Sequence, residues 1–271
     1  MRGGIWGEAH GPLPRLDTGV PQSARVWNYL QGGKDNFAAD RAAGDALRQA
    51  CPEIALFARS QRRFLTRAVR YLAGQAGIRQ FLDIGTGLPA GDNTHEIAQL
   101  IAPTSRIVYG DNDPLVLLHA RALMTSGPQG ATSYVEADVR DLEEILHETA
   151  RTLDLSEPVA LLLLGVMGEV PDTDHPRRIV ASLLNALPSG SYLVLSDATD
   201  TSPVLSQAIT AYNRYAAAPY WLRSPREVVR FFDGLTHVSP GLLAAARWQP
   251  DLTAADGPPP SSAICGVGRK D

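Results

Sequence analysis

The chain has 271 residues, 44% of them hydrophobic and 20% charged, with Lys+Arg 25 against Asp+Glu 29 and a net charge of −4. So much apolar side chain can build a sizeable core, which excludes whole-chain disorder, and the acidic balance argues against a polyanion such as nucleic acid as main partner. Two distant cysteines, Cys51 and Cys265, and no metal-spaced cluster of His, Cys or carboxylate exclude a disulfide scaffold and a zinc site. The longest apolar run, residues 158–167, is about half of what a bilayer requires, so the chain is expected in a reducing cytoplasm with no membrane partner.

Residues 1–20 carry little periodicity and read as a flexible tail. A short amphipathic helix over 23–30 stops at Gly32-Gly33, a second covers 38–50, and a third runs from Pro52 to about Ala73. On the third, Arg59, Arg63, Arg67 and Arg70 form one stripe, expected to be a solvated face. Residues 21–75 thus form a helical cap ahead of an α/β core over 76–271. In that core, apolar strands at 80–84, 106–110, 132–137, 159–164 and 191–196 alternate with helices. Asn93-x-x-Glu96, Asp141-x-x-Glu144 and Ser224-x-x-Glu227 read as capping boxes, and Asp113-Pro114 as a cap before a first-turn proline. Such alternation predicts a parallel sheet with helices on both faces. Segments 236–243 and 264–269, separated by the Pro-rich loop 257–262, predict a terminal antiparallel strand pair.

The chemistry concentrates at the ends of the first three strands. The first ends Asp83-Ile84-Gly85-Thr86-Gly87, a turn whose glycines let backbone approach a ligand. The second delivers Asp111, 24 residues beyond Gly87, where an acid accepts from ribose hydroxyls. The third ends Ala137-Asp138-Val139, where a carboxylate can meet an adenine amino group. Asp113 and Asp141 are read as helix caps, Asp111 and Asp138 as ligands.

These residues resemble the class I S-adenosylmethionine-dependent methyltransferases, with a Rossmann-like sheet. More narrowly, the chain resembles a bacterial family of S-adenosyl methyltransferases whose substrate is unknown. The residues that carry this are Ser23-Ala24-Arg25-Val26, Gly32-Gly33-Lys34-Asp35-Asn36-Phe37, Phe81-Leu82-Asp83-Ile84-Gly85-Thr86-Gly87-Leu88-Pro89 and Asp111-Asn112-Asp113-Pro114, with 190–196 and 231–234. The resemblance spans nearly everything from residue 21 onward. It implies S-adenosylmethionine as cofactor, held by Asp83, Gly85, Thr86, Gly87, Asp111, Asn112, Ala137, Asp138, Val139 and Gly165. The family pattern after the fourth strand carries a histidine and an aromatic ahead of Val-Pro-Asp. This chain reads Gly165-Val166-Met167-Gly168-Glu169-Val170-Pro171-Asp172, so no role can rest on that histidine.

Two other readings stay open. Gly85-x-Gly87-x-x-Ala90 satisfies a loose dinucleotide fingerprint, so an NAD(P)-dependent oxidoreductase is one, although Pro89-Ala90-Gly91 delay the helix a pyrophosphate wants. A protein that binds the cofactor without turnover is the other. Gly32-Gly33-Lys34-Asp35 is not a P-loop, lacking its spacing and its Ser or Thr. It is expected instead to fold over the cofactor, with Gly33, Lys34 and Asp35 meeting the methionine end. Trp27, Tyr29 and Phe37 are candidate walls of the acceptor pocket. Glu169, Asp197 and His95 are candidate bases if the acceptor, expected to be a small molecule, is a hydroxyl. The absence of an Asn/Asp-Pro-Pro-aromatic motif after the fourth strand argues against methylation of DNA bases. An oligomer seam is not legible.

Overall fold

The computed structural model describes residues 17–248 and 262–271. The expected tail lies outside the described residues as far as residue 16, as do residues 257–261 of the Pro-rich loop. Three helices come first: α1 (Ser23–Gln31), α2 (Ala38–Ala50) and α3 (Ile54–Gly74). Asp40, fully buried, ties α2 to α1. Its carboxylate accepts the Gln22 and Phe37 N–H groups at 3.0 and 2.8 Å and lies 3.6 Å from Arg25 Nε.

Then strands and helices alternate: β1 (Gln80–Ile84), α4 (Thr94–Ile101), β2 (Arg106–Asp111), α5 (Pro114–Leu123), β3 (Ala131–Glu136), α6 (Leu142–Thr149), β4 (Ala160–Leu164), α7 (Pro176–Asn185) and β5 (Tyr192–Ala198). The chain closes with α8 (Pro203–Tyr212), α9 (Pro225–Val229), β6 (Thr236–His237) and β7 (Ala263–Arg269). The seven-stranded sheet has the order β3-β2-β1-β4-β5-β7-β6; β7 runs antiparallel to both β5 and β6, and the other pairs are parallel. Successive strand residues point to opposite faces. Leu82, Val108, Leu161 and Leu193 therefore pack with Ile145 and Leu183 of α6 and α7. Phe81, Ile107, Leu162 and Val194 pack with Phe64 and Leu72 of α3 and Ile97 of α4. A strand buried on both faces needs an unbroken apolar run, which is why β4 reads Ala-Leu-Leu-Leu-Leu.

Three expectations need correction. The strand expected over 236–243 pairs only at Thr236–His237, with one isolated bridge from Leu243 to Cys265, because Pro240 between them has no N–H to give a ladder. Asp141 makes no side-chain cap on α6, whereas Glu96 accepts the Asn93 N–H at 2.7 Å and Glu227 that of Ser224 at 2.8 Å. The arginine stripe is not wholly solvated: Arg67 is buried and donates to Trp248 O and Ala245 O at 2.7 and 2.6 Å, pinning α3 to the chain ahead of β7. Among the described residues no helix is long and apolar enough to cross a membrane.

Candidate functional site

The strand order reverses between β1 and β4, because the chain leaves β1 toward β2 and β3 and then crosses back to β4 and β5. In open α/β sheets such a switch point leaves a crevice beyond the carboxyl ends of the strands. Here it holds a cavity of about 220 Å³, floored by residues 83–88, 111–113, 137–140 and 164–166. The turn after β1 is built by Gly85 and Gly87, with φ of 69° and 67°, a region that disfavours side chains. A Cβ on Gly85 would stand 2.1 Å from Val166 Cγ2, whereas around Gly87 nothing lies within 4 Å, so space stays open over the turn. Helix α4 begins only at Thr94, so no helix N-terminus backs the glycines.

Besides Asp113, three acids reach this floor. Asp83 accepts the Thr94 hydroxyl at 2.6 Å, and burial pushes its carboxyl up to about 6 against the opposing pull of Arg62. Asp111 accepts the Gly87 N–H with one oxygen and the Asp113 N–H with the other, both at 2.9 Å, and burial again raises it to about 6. Asp138 is the opposite case. The Arg140 side chain donates to both of its oxygens at 2.7 Å, and the Arg140 backbone N–H and the Asn112 amide add two more bonds, so the carboxyl is held below its ordinary range. Asp113 caps α5, accepting the Leu115 N–H at 2.9 Å, and lies 3.6 Å from Arg25 Nε.

The far side of the cavity is the work of the N-terminal helices and α8. Trp27 and Asn28 of α1, Phe57 and Gln61 of α3 and Tyr212 of α8 line it, with Tyr220 from the loop after α8. Trp27 and Phe57 meet edge to face at 5.8 Å. Between floor and wall lies Glu169, on the short turn after β4. Burial, with Asp111, Asp197 and Asp138 nearby, raises its carboxyl to about 7 against the lowering influence of the neighbouring Ser23 hydroxyl. Asp197 stands behind the wall, hydrogen-bonded to the Tyr220 hydroxyl and raised by burial to about 6.

Of the residues expected to hold cofactor, Asp83, Gly85, Thr86, Gly87, Asp111, Asn112, Ala137, Asp138, Val139 and Gly165 all line the cavity. Gly33, Lys34 and Asp35 do not. Lys34 is exposed, and the loop is folded onto Asn28, whose side chain accepts from Asp35 N–H and the Asn36 amide at 3.1 and 2.9 Å. Of the expected aromatic walls only Trp27 faces the cavity. Tyr29 donates to Asp45 at 2.6 Å under Arg48, and Phe37 packs with Leu88, Leu115 and Val116. His95 lies off the cavity as well: its Nδ1 and its N–H both meet the Tyr109 hydroxyl, at 2.9 and 2.7 Å, and burial lowers its proton affinity. Gln61 escaped the sequence reading, though it carried a signal, a lone amide at the i+4 position of the apolar series Phe57, Phe64, Leu65. Tyr212 and Tyr220 carried none.

Solved structures resemble this architecture closely. A DUF574 family protein of Streptomyces avermitilis matches with a TM-score of 0.89 and 44% identity, over 95% of this chain and 100% of that one. A candidate methyltransferase of Thermobifida fusca matches with a TM-score of 0.87 and 40% identity, over 98% and 99%. No curated protein matches the sequence. A family model described as S-adenosyl methyltransferase covers residues 9–271, and the chain belongs to that family.

Proposed function

We infer that the cavity holds S-adenosylmethionine over the Gly85–Gly87 turn and passes its methyl group to a small molecule seated against α1, α3 and α8. The observation that carries this reading is one continuous cavity, joining the glycine turn and the acids of β1 to β3 to an aromatic chamber with Glu169 at the boundary. The residues fit the family's cofactor. A side chain at Gly87 would fill the open space above the turn, and the buried Gln61 amide presents an Nε2 without partner to the cavity. Asp111 would take the ribose hydroxyls, Asn112, Ala137, Asp138 and Val139 would border the adenine, and Asp83 and Gly165 the methionine end.

Bound there, the cofactor supplies a methyl group already activated as a sulfonium. The protein's tasks are then to align the acceptor, exclude water and take up a proton. Residues 21–75 supply the cover, since α1 and α3 close the crevice on the side away from the strands. The loop 33–36 serves that cover through Asn28 rather than by touching the cofactor. Glu169, poised near neutrality, is the base, and Asp197 positions Tyr220. The enzyme works in the cytosol, where the buried free thiols Cys51 and Cys265 stay reduced. Titration calorimetry tests the reading: saturable binding of S-adenosylmethionine and S-adenosylhomocysteine, without NAD or NADP, is expected. Binding of a nicotinamide dinucleotide with no response to either sulfur compound would refute it.

A further inference from the structure

The charges facing the cavity do not balance. Among the described residues only Arg62 and Arg140 are basic and line it. Arg140 is engaged by Asp138 and Asp174, and Arg62 donates to Gly91 O, Asp92 O and Asn93 Oδ1. Asp113 has Arg25 beside it. Asp111 and Glu169 have no basic partner in hydrogen-bond reach, and the charges felt by Glu169 are those of other acids, Asp111, Asp197 and Asp138. S-adenosylmethionine carries a sulfonium and an ammonium against one carboxylate, a net charge of about +1 that offsets one acid only. Beyond it, the chamber walls are Ile209 and the aromatic side chains of Trp27, Phe57, Tyr212 and Tyr220, a ring type whose faces attract cations. Gln61, 4% exposed, turns an unpartnered Nε2 into the cavity, a buried donor that suits the cofactor's carboxylate and leaves the ammonium role to Glu169 and the rings.

We propose that the methyl acceptor is an amine on an apolar, ring-sized body, held as its ammonium by Glu169 and the aromatic walls. The proposal rests on the reading of the cavity as a methyl-transfer site. A carboxylate in that position would add a further negative charge to a space that already holds unpaired ones. A hydroxyl would leave Glu169 without a counter-charge. The ammonium passes one proton to a Glu169 oxygen. Its freed lone pair forms the N–C bond as the C–S bond breaks, the bonding pair staying on sulfur, and the product leaves as a methylammonium.

Three probes of one shape separate the possibilities: phenethylamine, phenethyl alcohol and phenylpropanoate, titrated into the full chain saturated with S-adenosylhomocysteine. The amine should bind at least about tenfold tighter than the alcohol, with the acid weakest, and Glu169→Gln should reduce amine affinity by about tenfold while leaving the alcohol unchanged. Equal or tighter binding of the alcohol or acid, no saturable binding of the amine, or an amine preference that survives Glu169→Gln overturns the proposal. Circular dichroism and retained S-adenosylhomocysteine affinity show that the variant is folded, and the three-probe comparison on the unmodified protein stands without it. Failure of S-adenosylhomocysteine itself to bind would defeat the methyl-transfer reading. Its binding without amine preference would defeat the amine proposal alone.

Discussion

Replacing Asp111 by asparagine should strengthen the ligand-free protein near neutral pH while disabling its cofactor site. The carboxyl titrates at about 6 in the folded chain against an ordinary value of 3.8. The folded state therefore holds this proton more tightly than the unfolded one. Its contribution to stability is intact below 3.8, falls as pH rises toward about 6 and is flat above. At about pH 7.5 the difference amounts to roughly 3 kcal/mol of destabilisation. Asparagine removes that charge but can accept only one of the N–H groups of Gly87 and Asp113, a loss of about 1–2 kcal/mol. The net expectation is a gain of about 1–2 kcal/mol near pH 7.5 that turns into a loss of similar size near pH 4. Urea unfolding at both pH values reads the sign change. Calorimetry with S-adenosylhomocysteine should show affinity falling by about 1.5–3 kcal/mol, because the ribose hydroxyls lose a charged acceptor. A variant destabilised equally at both pH values, or one that keeps full affinity, would refute the assignment of a strained, ligand-directed carboxylate.

Asp113→Ala should act on folding instead. It removes the α5 cap and leaves buried Arg25 with Asp40 alone, at about 2–4 kcal/mol in urea melts, with cofactor affinity changed far less than by Asp111→Asn. Arg67→Ala should lower stability by about 2–4 kcal/mol, since the carbonyls of Ala245 and Trp248 lose their donor, and should leave S-adenosylhomocysteine affinity intact. Gly87→Ala should cost about 1–2 kcal/mol for its positive φ. Gly85→Ala should cost about 2–4 kcal/mol, because its Cβ must also displace Val166, and unfolding midpoints of the pair check the difference.

The buried acids of this site share one logic. Burial raises the carboxyls of Asp83, Asp111 and Glu169, which line the pocket, and of Asp197 behind its wall, so ionising the pocket acids costs the ligand-free fold energy. Asp138, equally close to the strand ends, escapes because Arg140 lies two residues on and folds back onto it. A ligand carrying positive charge removes the imbalance for the former group and changes little for the latter. This links binding to stability: the melting temperature near neutral pH should respond to cofactor more than that of a neutral pocket would.

Strand alternation, the glycine turn and the acids at the strand ends were legible in the sequence because each is local information. A strand buried on both faces is largely apolar, and polar residues come at its carboxyl end, where Asp83 and Asp111 close β1 and β2 and Asp138 follows β3. The N-terminal helices were legible as helices but not in their orientation. Neighbouring residues on a helix point about 100° apart, so Trp27 and Asn28 face the cavity while Tyr29 turns to Asp45, and only the docking of α1 on α2 decides which. Helix docking also buried Arg67 within an otherwise polar stripe and brought Gln61 to the cavity. It turned His95 onto Tyr109, because α4 presents that residue to β2 rather than to the crevice. The chain thus encodes the cavity floor in short local runs at the ends of successive strands, whereas the far wall, drawn from α1, α3 and α8, exists only once helices from both ends of the chain have packed together.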